Sequence, residues 1–178
     1  MDPEFFEQLA MPLFDSLYNL AHWLTGDRVD AEDLVQETYA KALKGFKSFQ
    51  EGTNLRAWMF RILRNTFLTS RSGLAARSTS SLEDEEEEAG ALAAHSITPE
   101  SLLLRSEDRQ RVLDALAELP VHYREILLLC EVEELSYREI ADVLSLPIGT
   151  VMSRLSRARN SLRRLVEMPS MRSQHESV

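Results

Sequence analysis

One cysteine, Cys130, in 178 residues leaves no intramolecular disulfide. With only four scattered histidines beside it, the chain also lacks the Cys/His spacing of a zinc site, and no metal is expected. No apolar run approaches the ~20 residues that span a bilayer, so membrane insertion is not expected. The acidic start Met1-Asp2-Pro3-Glu4 has no basic-then-apolar pattern, and no secretory signal is expected. There is no glycine-rich nucleotide loop and no recognisable Ser/His/Asp set, so neither an enzyme nor a cofactor is indicated. His22, His95, His122 and His175 read as incidental. Cys130, in the apolar run from Ile126, reads as a buried thiol. Sustained period-two alternation is missing too, which removes strands and leaves an all-α chain.

What is present is a soluble composition, 44% hydrophobic and 28% charged, with a formal net charge of −9. The charge is segregated. Between Leu135 and Val166 stand Arg138, Arg154, Arg157, Arg159, Arg163 and Arg164 against only Glu139 and Asp142. Between Gly52 and Leu82 stand Arg56, Arg61, Arg64, Arg71 and Arg77 with no acidic residue. Two basic stretches in an acidic chain point to local anion-binding faces, although solvated helix faces would carry the same residues.

Composition divides the chain into residues 1–71, 72–98, 99–168 and a polar, frayed tail at 169–178. In the first part Phe6, Leu9, Leu13, Leu17, Leu20 and Leu24 recur at helical spacing up to Gly26. A second helix is expected from Ala31 to Phe46 with Asp30 as N-cap, and a third from about Leu55. Residues 72–98 lack periodicity and include six consecutive acids, Glu83 to Glu88, as a flexible acidic linker would. Its relaxed span is ~30 Å, and its extended limit ~90 Å.

The third part opens at Thr98-Pro99-Glu100, a helix start with proline at its first position. A helix from Val121 to about Val132 follows Pro120. Ser136 and Glu139 form a capping box ahead of Ile140, Val143 and Leu144. Residues 145–149 make a turn, and a last helix runs from Thr150 to about Val166. On a helical wheel Val151, Leu155, Ala158, Leu162 and Leu165 form the buried stripe. Ser153, Ser156, Arg157, Asn160 and Arg164 face outward. A short helix, a turn and a longer basic helix with a donor-rich, carboxylate-free face make the helix-turn-helix pattern expected of a DNA-binding unit, although a solvated C-terminal helix with arginines complementing its negative end would carry the same residues.

These residues resemble a known family. Leu135-Ser136-Tyr137-Arg138-Glu139-Ile140-Ala141, with the segment from Pro147 to Arg159, resembles region 4 of extracytoplasmic-function (ECF) sigma factors of bacterial RNA polymerase. Independently, residues 30–39, starting Asp30-Ala31-Glu32-Asp33, resemble region 2.2, and residues 54–65, starting Asn54-Leu55-Arg56-Ala57-Trp58, resemble regions 2.3 and 2.4. The resemblance implies a region 2 helical bundle and a region 4 helix-turn-helix. It implies a cytoplasmic factor in a stress or envelope response, held by an anti-sigma factor. The implied partners are promoter DNA and core polymerase, contacted at the β′ coiled coil and the β flap.

Carried onto this chain, the resemblance implies that Asp33, Gln36 and Glu37 face polymerase, with Leu43 adding apolar contact. Three- and four-residue steps do place the first three on one helix face. It implies that the loop from Phe49 to Asn54 and the helix after it open the minus-ten element. Asn65 would help trap a base, and Arg56, Arg61 and Arg64 would track phosphates. Trp58, spaced with Ile62, reads as core. For the minus-thirty-five element the matching residues are Ser153, Ser156 and Arg157, with Asn160 on the same face and Tyr137 and Arg154 on the backbone. Met152 stands where many relatives have a basic residue; it can touch a thymine methyl but cannot bind guanine bidentately. The remaining pattern resembles factors that read a GGAA-type element. Elements ~70 Å apart lie within the linker's stretched reach.

Two rivals carry different expectations. A stand-alone helix-turn-helix regulator needs no Asp33, Gln36 or Glu37 and binds duplex without polymerase. A protein-binding adaptor has no affinity for promoter DNA in any form.

Overall fold

The computed structural model describes residues 3–50, 52–75 and 106–168. Most of the expected linker, the helix start at Thr98-Pro99-Glu100 and the tail at 169–178 lie outside them. Among the described residues there is no strand, so the chain is all-α. No helix there is long and apolar enough to cross a membrane.

The first half holds α1 (Pro3–Ala10), α2 (Phe14–Thr25), α3 (Arg28–Gly45) and α4 (Leu55–Ala75). The apolar spacing predicts one helix up to Leu24, but a 3-10 turn at Met11–Leu13 separates α1 from α2. Pro12 is the cause: it has no N–H to give an α-helix. Gly26 ends α2 in the left-handed region at φ 74°, which a side chain would oppose. The start of α3 corrects the expected cap. Asp27 is the N-cap, its carboxylate accepting from Val29 N and Asp30 N at 2.8 and 3.0 Å. Asp30 lies inside the first turn. α4 continues to Ala75, four residues beyond the expected edge at Arg71.

The second half holds α5 (Ser106–Glu118), α6 (Val121–Leu127), α7 (Tyr137–Leu144) and α8 (Ile148–Glu167). α6 widens into a π-helical turn at Leu128–Val132, where a plain helix is expected. The capping box forms: Ser136 Oγ accepts from Glu139 N, and Glu139 Oε2 accepts from Ser136 N at 2.8 Å. Ser145 closes α7 in the left-handed region, and α8 begins two residues earlier than expected, on Pro147.

The halves share one core. Trp23, Met59, Phe60 and Leu63 of the first half belong to the same apolar cluster as Leu119, Ile126, Ile140 and Leu155 of the second. α4 packs on α7, and α2 on α6. Arg124, only 3% exposed, joins them: its guanidinium donates to Leu116 O, Ala117 O, Leu119 O and Trp23 O at 2.7–2.8 Å. The first three are carbonyls at and just beyond the end of α5, where α-helical partners run out; Leu116 O also accepts from Leu119 N at 3.3 Å. Burial lowers its pKa to about 10, so it is charged at neutral pH.

Candidate functional site

Three faces carry the expected site residues. On α3 the apolar side, Ala31, Leu34, Val35 and Ala42, is buried with Thr38. Thr38 satisfies its hydroxyl on Leu34 O at 2.7 Å. The opposite side leaves Asp33, Gln36, Glu37, Ala40 and Leu43 exposed together. Glu37 pairs with Lys41 at 2.8 Å, and Lys41 reaches Thr66 of α4 at 3.2 Å. Tyr39, on a side edge, donates to Ala10 O at 2.7 Å. Burial first, then the field of Asp15, pushes its phenol up to about 12.

The second face is α4 with its preceding loop. Phe49 stacks on Phe46 with centroids 5.8 Å apart and tilts against Trp58 at 5.2 Å. Trp58 is thus a partly buried wall of the core, as its spacing indicates. Gly52 takes φ 91°, and the loop forms one side of an open apolar cleft with Phe5, Leu9 and Leu55. Phe5 was not singled out from sequence, and Leu9 was read only as part of an apolar stripe, because only the fold of α1 brings them to the loop. Asn54 caps α4, its Oδ1 accepting from Arg56 N at 3.0 Å. Arg61 and Asn65 are exposed further along α4. Asn65 lies roughly 15 Å along the axis from the helix start at 1.5 Å per residue, away from the loop.

Asn54, Arg56 and Arg64 already have partners in the second half. Asn54 Nδ2 donates to Glu139 Oε1 at 2.6 Å. Arg56 pairs with Glu133 and also donates to Ser16 Oγ at 3.3 Å. Arg64 donates through Nε and Nη2 to Glu125 at 3.2 and 3.4 Å. Burial raises the Glu125 pKa, against the opposing pull of Arg64 and then of Arg154. The Asn54 hydrogen bond, then the one from Ser136 N, holds Glu139 below the ordinary carboxylate value. The sequence carries no local signal for these contacts.

The third face is the outside of α8. Val151, Leu155 and Ala158 are buried, while Ser153, Ser156, Arg157, Asn160 and Arg164 are exposed, as the wheel places them. Arg157 donates to Ser153 O and Ser153 Oγ, both at 3.4 Å, which leans the guanidinium along the helix. Met152 is exposed beside them, and Tyr137 stands exposed at the start of α7. Arg154 is half-buried. Arg159 is held by Glu131 at 2.7 Å and lies 3.6 Å from the sulfur of Cys130. Cys130 is a partly buried free thiol whose pKa burial raises.

A cap-anchored helix pair with a basic outer face, packed against a four-helix unit, defines a helix-turn-helix protein with a second helical region. Comparison with known proteins carries this to a family. Sigma-70 region 2 matches residues 10–77, and sigma-70, region 4 matches residues 109–162. The chain is 35% identical over 165 residues to the ECF RNA polymerase sigma factor SigE of Mycolicibacterium smegmatis, covering 88% of this chain and 63% of that protein. It is 36% identical over 137 residues to the ECF RNA polymerase sigma-E factor of Escherichia coli K12, covering 75% of this chain and 72% of that one. Among solved structures it resembles the sigma factor RpoE in complex with the anti-sigma factor NepR from Bartonella quintana. The TM-score is 0.70 at 30% identity, over 93% of this chain and 98% of that one. It also resembles CnrH in complex with the cytosolic domain of CnrY, with a TM-score of 0.63 at 26% identity, over 93% and 89%. The chain belongs to the ECF sigma factors of the sigma-70 family.

Proposed function

We propose that this chain selects promoters for bacterial RNA polymerase in the cytoplasm, as a binding factor and not as a catalyst. Asp33, Gln36 and Glu37, with Leu43 at the edge, dock on the β′ coiled coil. Region 4 sits against the β flap and lays α8 in the major groove. Ser153, Ser156, Arg157 and Asn160 meet base edges, Met152 offers an apolar contact, and Tyr137 and Arg154 hold the backbone. Arg56, Arg61, Arg64 and Asn65 engage the opened minus-ten strand. The cleft beside Phe49 and Asn54 offers an apolar surface to an unstacked base. An anti-sigma factor holds this chain inactive; in support, the related sigma factor RpoE forms a complex with the anti-sigma factor NepR.

The observation that carries this reading is the outer face of α8: hydroxyl, amide and guanidinium groups exposed on one side, with no carboxylate there before Glu167, the last residue of the helix. The acidic α3 face alone would fit many partners.

The test is run-off transcription with bacterial core polymerase on a promoter library. Wild type is compared with the Asp33→Ala, Gln36→Ala, Glu37→Ala variant. Initiation from a sequence-defined subset, lost in the variant while its helicity is retained, is the expected result. No initiation and no binding to core, with specific duplex binding retained, would make the chain a stand-alone regulator.

A further inference from the structure

We propose that the first two turns of α8 select a thymine in the upstream element by its 5-methyl group, with Ile148 and Met152 as apolar walls and Gly149 as the gap that admits it. This rests on the reading of α8 given above and names one base its face would choose. Ile148 and Met152, 50% and 54% exposed, are the two exposed large apolar side chains of α8. They are four residues apart, so they stand one above the other at about 6 Å. The same row continues to exposed Ser156, and exposed Ser153 flanks it. The apolar pair is thus continuous with the donor face, at the end of the helix that enters the groove.

Gly149 lies on the exposed side one turn before Met152 and Ser153. Its φ is not positive, and a Cβ there would meet no heavy atom within 4 Å. Neither the backbone nor the packing of this chain requires glycine, while glycine within a helix weakens it relative to alanine. What the missing side chain leaves is room outside, beside the two apolar walls. In the major groove thymine alone presents an apolar group, the C5-methyl. Guanine, adenine and cytosine present donors or acceptors there, which an isoleucine–methionine wall would strip of water without replacing the bonds. Arg159, further along this flank, is held by Glu131 at 2.7 Å and reaches a guanine only by giving up that pair. Selection at this position therefore falls to Ile148 and Met152.

The experiment uses the full chain bound to core polymerase and a duplex library randomised across the upstream element. The sequence selected by wild type is resynthesised with uracil at one thymine at a time, on either strand. Uracil keeps the pairing and lacks only the methyl. One such exchange should weaken binding about fourfold, the loss of a single buried methyl group. In the Ile148→Ala, Met152→Ala variant the same exchange should cost less than about twofold, because the methyl has lost its walls. Met152→Arg should change the selected base at that position from thymine to guanine. Gly149→Ala should bind the selected duplex about tenfold more weakly. It should melt no lower than wild type, since only the DNA side is obstructed.

A selected element without thymine, or one that tolerates uracil at every thymine, would overturn the proposal and leave the promoter-selecting role standing. A uracil penalty that persists in the double variant, or unchanged affinity in Gly149→Ala, would do the same. Sequence selection by the chain alone and not with polymerase, with the uracil penalty present, would sink the promoter-selecting role and keep the methyl contact. No selection in either form would overturn both.

Discussion

Arg124 of α6 donates a 2.8 Å hydrogen bond to the carbonyl of Trp23 at the end of α2, across 101 residues of sequence. Its other donors close the end of α5, so one guanidinium ties three helix ends. Replacing it by lysine leaves a single ammonium that cannot reach all of these carbonyls. The Arg124→Lys protein should lose about 3–5 kcal/mol, the scale for breaking a buried charged network. Urea unfolding would measure it, and a loss under about 1 kcal/mol would mean that water replaces the guanidinium.

The cap of α3 gives a paired prediction. Asp27→Ala removes an acceptor shared by two backbone N–H groups and should cost about 1 kcal/mol. Asp30→Ala lies inside the helix and should cost a few tenths at most. Equal losses in thermal unfolding would put the cap at Asp30 after all.

Arg157 is exposed at the centre of the α8 face. Arg157→Ala should cost about 1–3 kcal/mol of promoter affinity, concentrated at one base position. Affinities measured on single-base variants of the upstream element decide this. A uniform loss on every sequence would make it a phosphate contact.

Glu139 makes the region contact and the α7 cap sensitive to acid. Its folded pKa lies below the ordinary 4.5, so its contribution is present above that value. It is lost as the pH falls through the lowered folded value. In Glu139→Gln that part of the acid transition should disappear. An unchanged acid profile would show that Asn54 and Ser136 do not stabilise its charge.

Tyr39 works in the opposite pH range. Its phenol is pushed up to about 12, so the unfolded chain sheds the proton first and stability falls as pH rises from about 10. Ultraviolet titration should show one of the four tyrosines ionising about two units late. Its loss in Tyr39→Phe would assign it.

Local features were readable from sequence where their signal was local. The capping box of Ser136 and Glu139 and the two faces of α8 needed only spacings of three and four residues, and both formed. The N-cap of α3 misled because Asp27 and Asp30 are both good caps, and the apolar period alone starts at Ala31. The break at Pro12 was hidden by apolar spacing that runs across the 3-10 turn without interruption. Contacts between the halves had no such signature. Arg64 and Glu125 are 61 residues apart, Arg56 and Glu133 77, and Asn54 and Glu139 85. Spacing reveals which side of a helix is polar, not which distant carboxylate it meets.

The outer face of α3 is exposed in the same arrangement that pairs off Asn54, Arg56 and Arg64 of α4. Bulk RNA and stray single strands therefore meet a chain of net charge −9 in which Arg56 and Arg64 are already paired with carboxylates. Under the docking proposed for α3, polymerase meets a surface that is ready. Few copies of such a factor are lost to non-specific nucleic acid, so its free concentration tracks its total. Under that same docking, competition among factors for a limited pool of polymerase is set by α3.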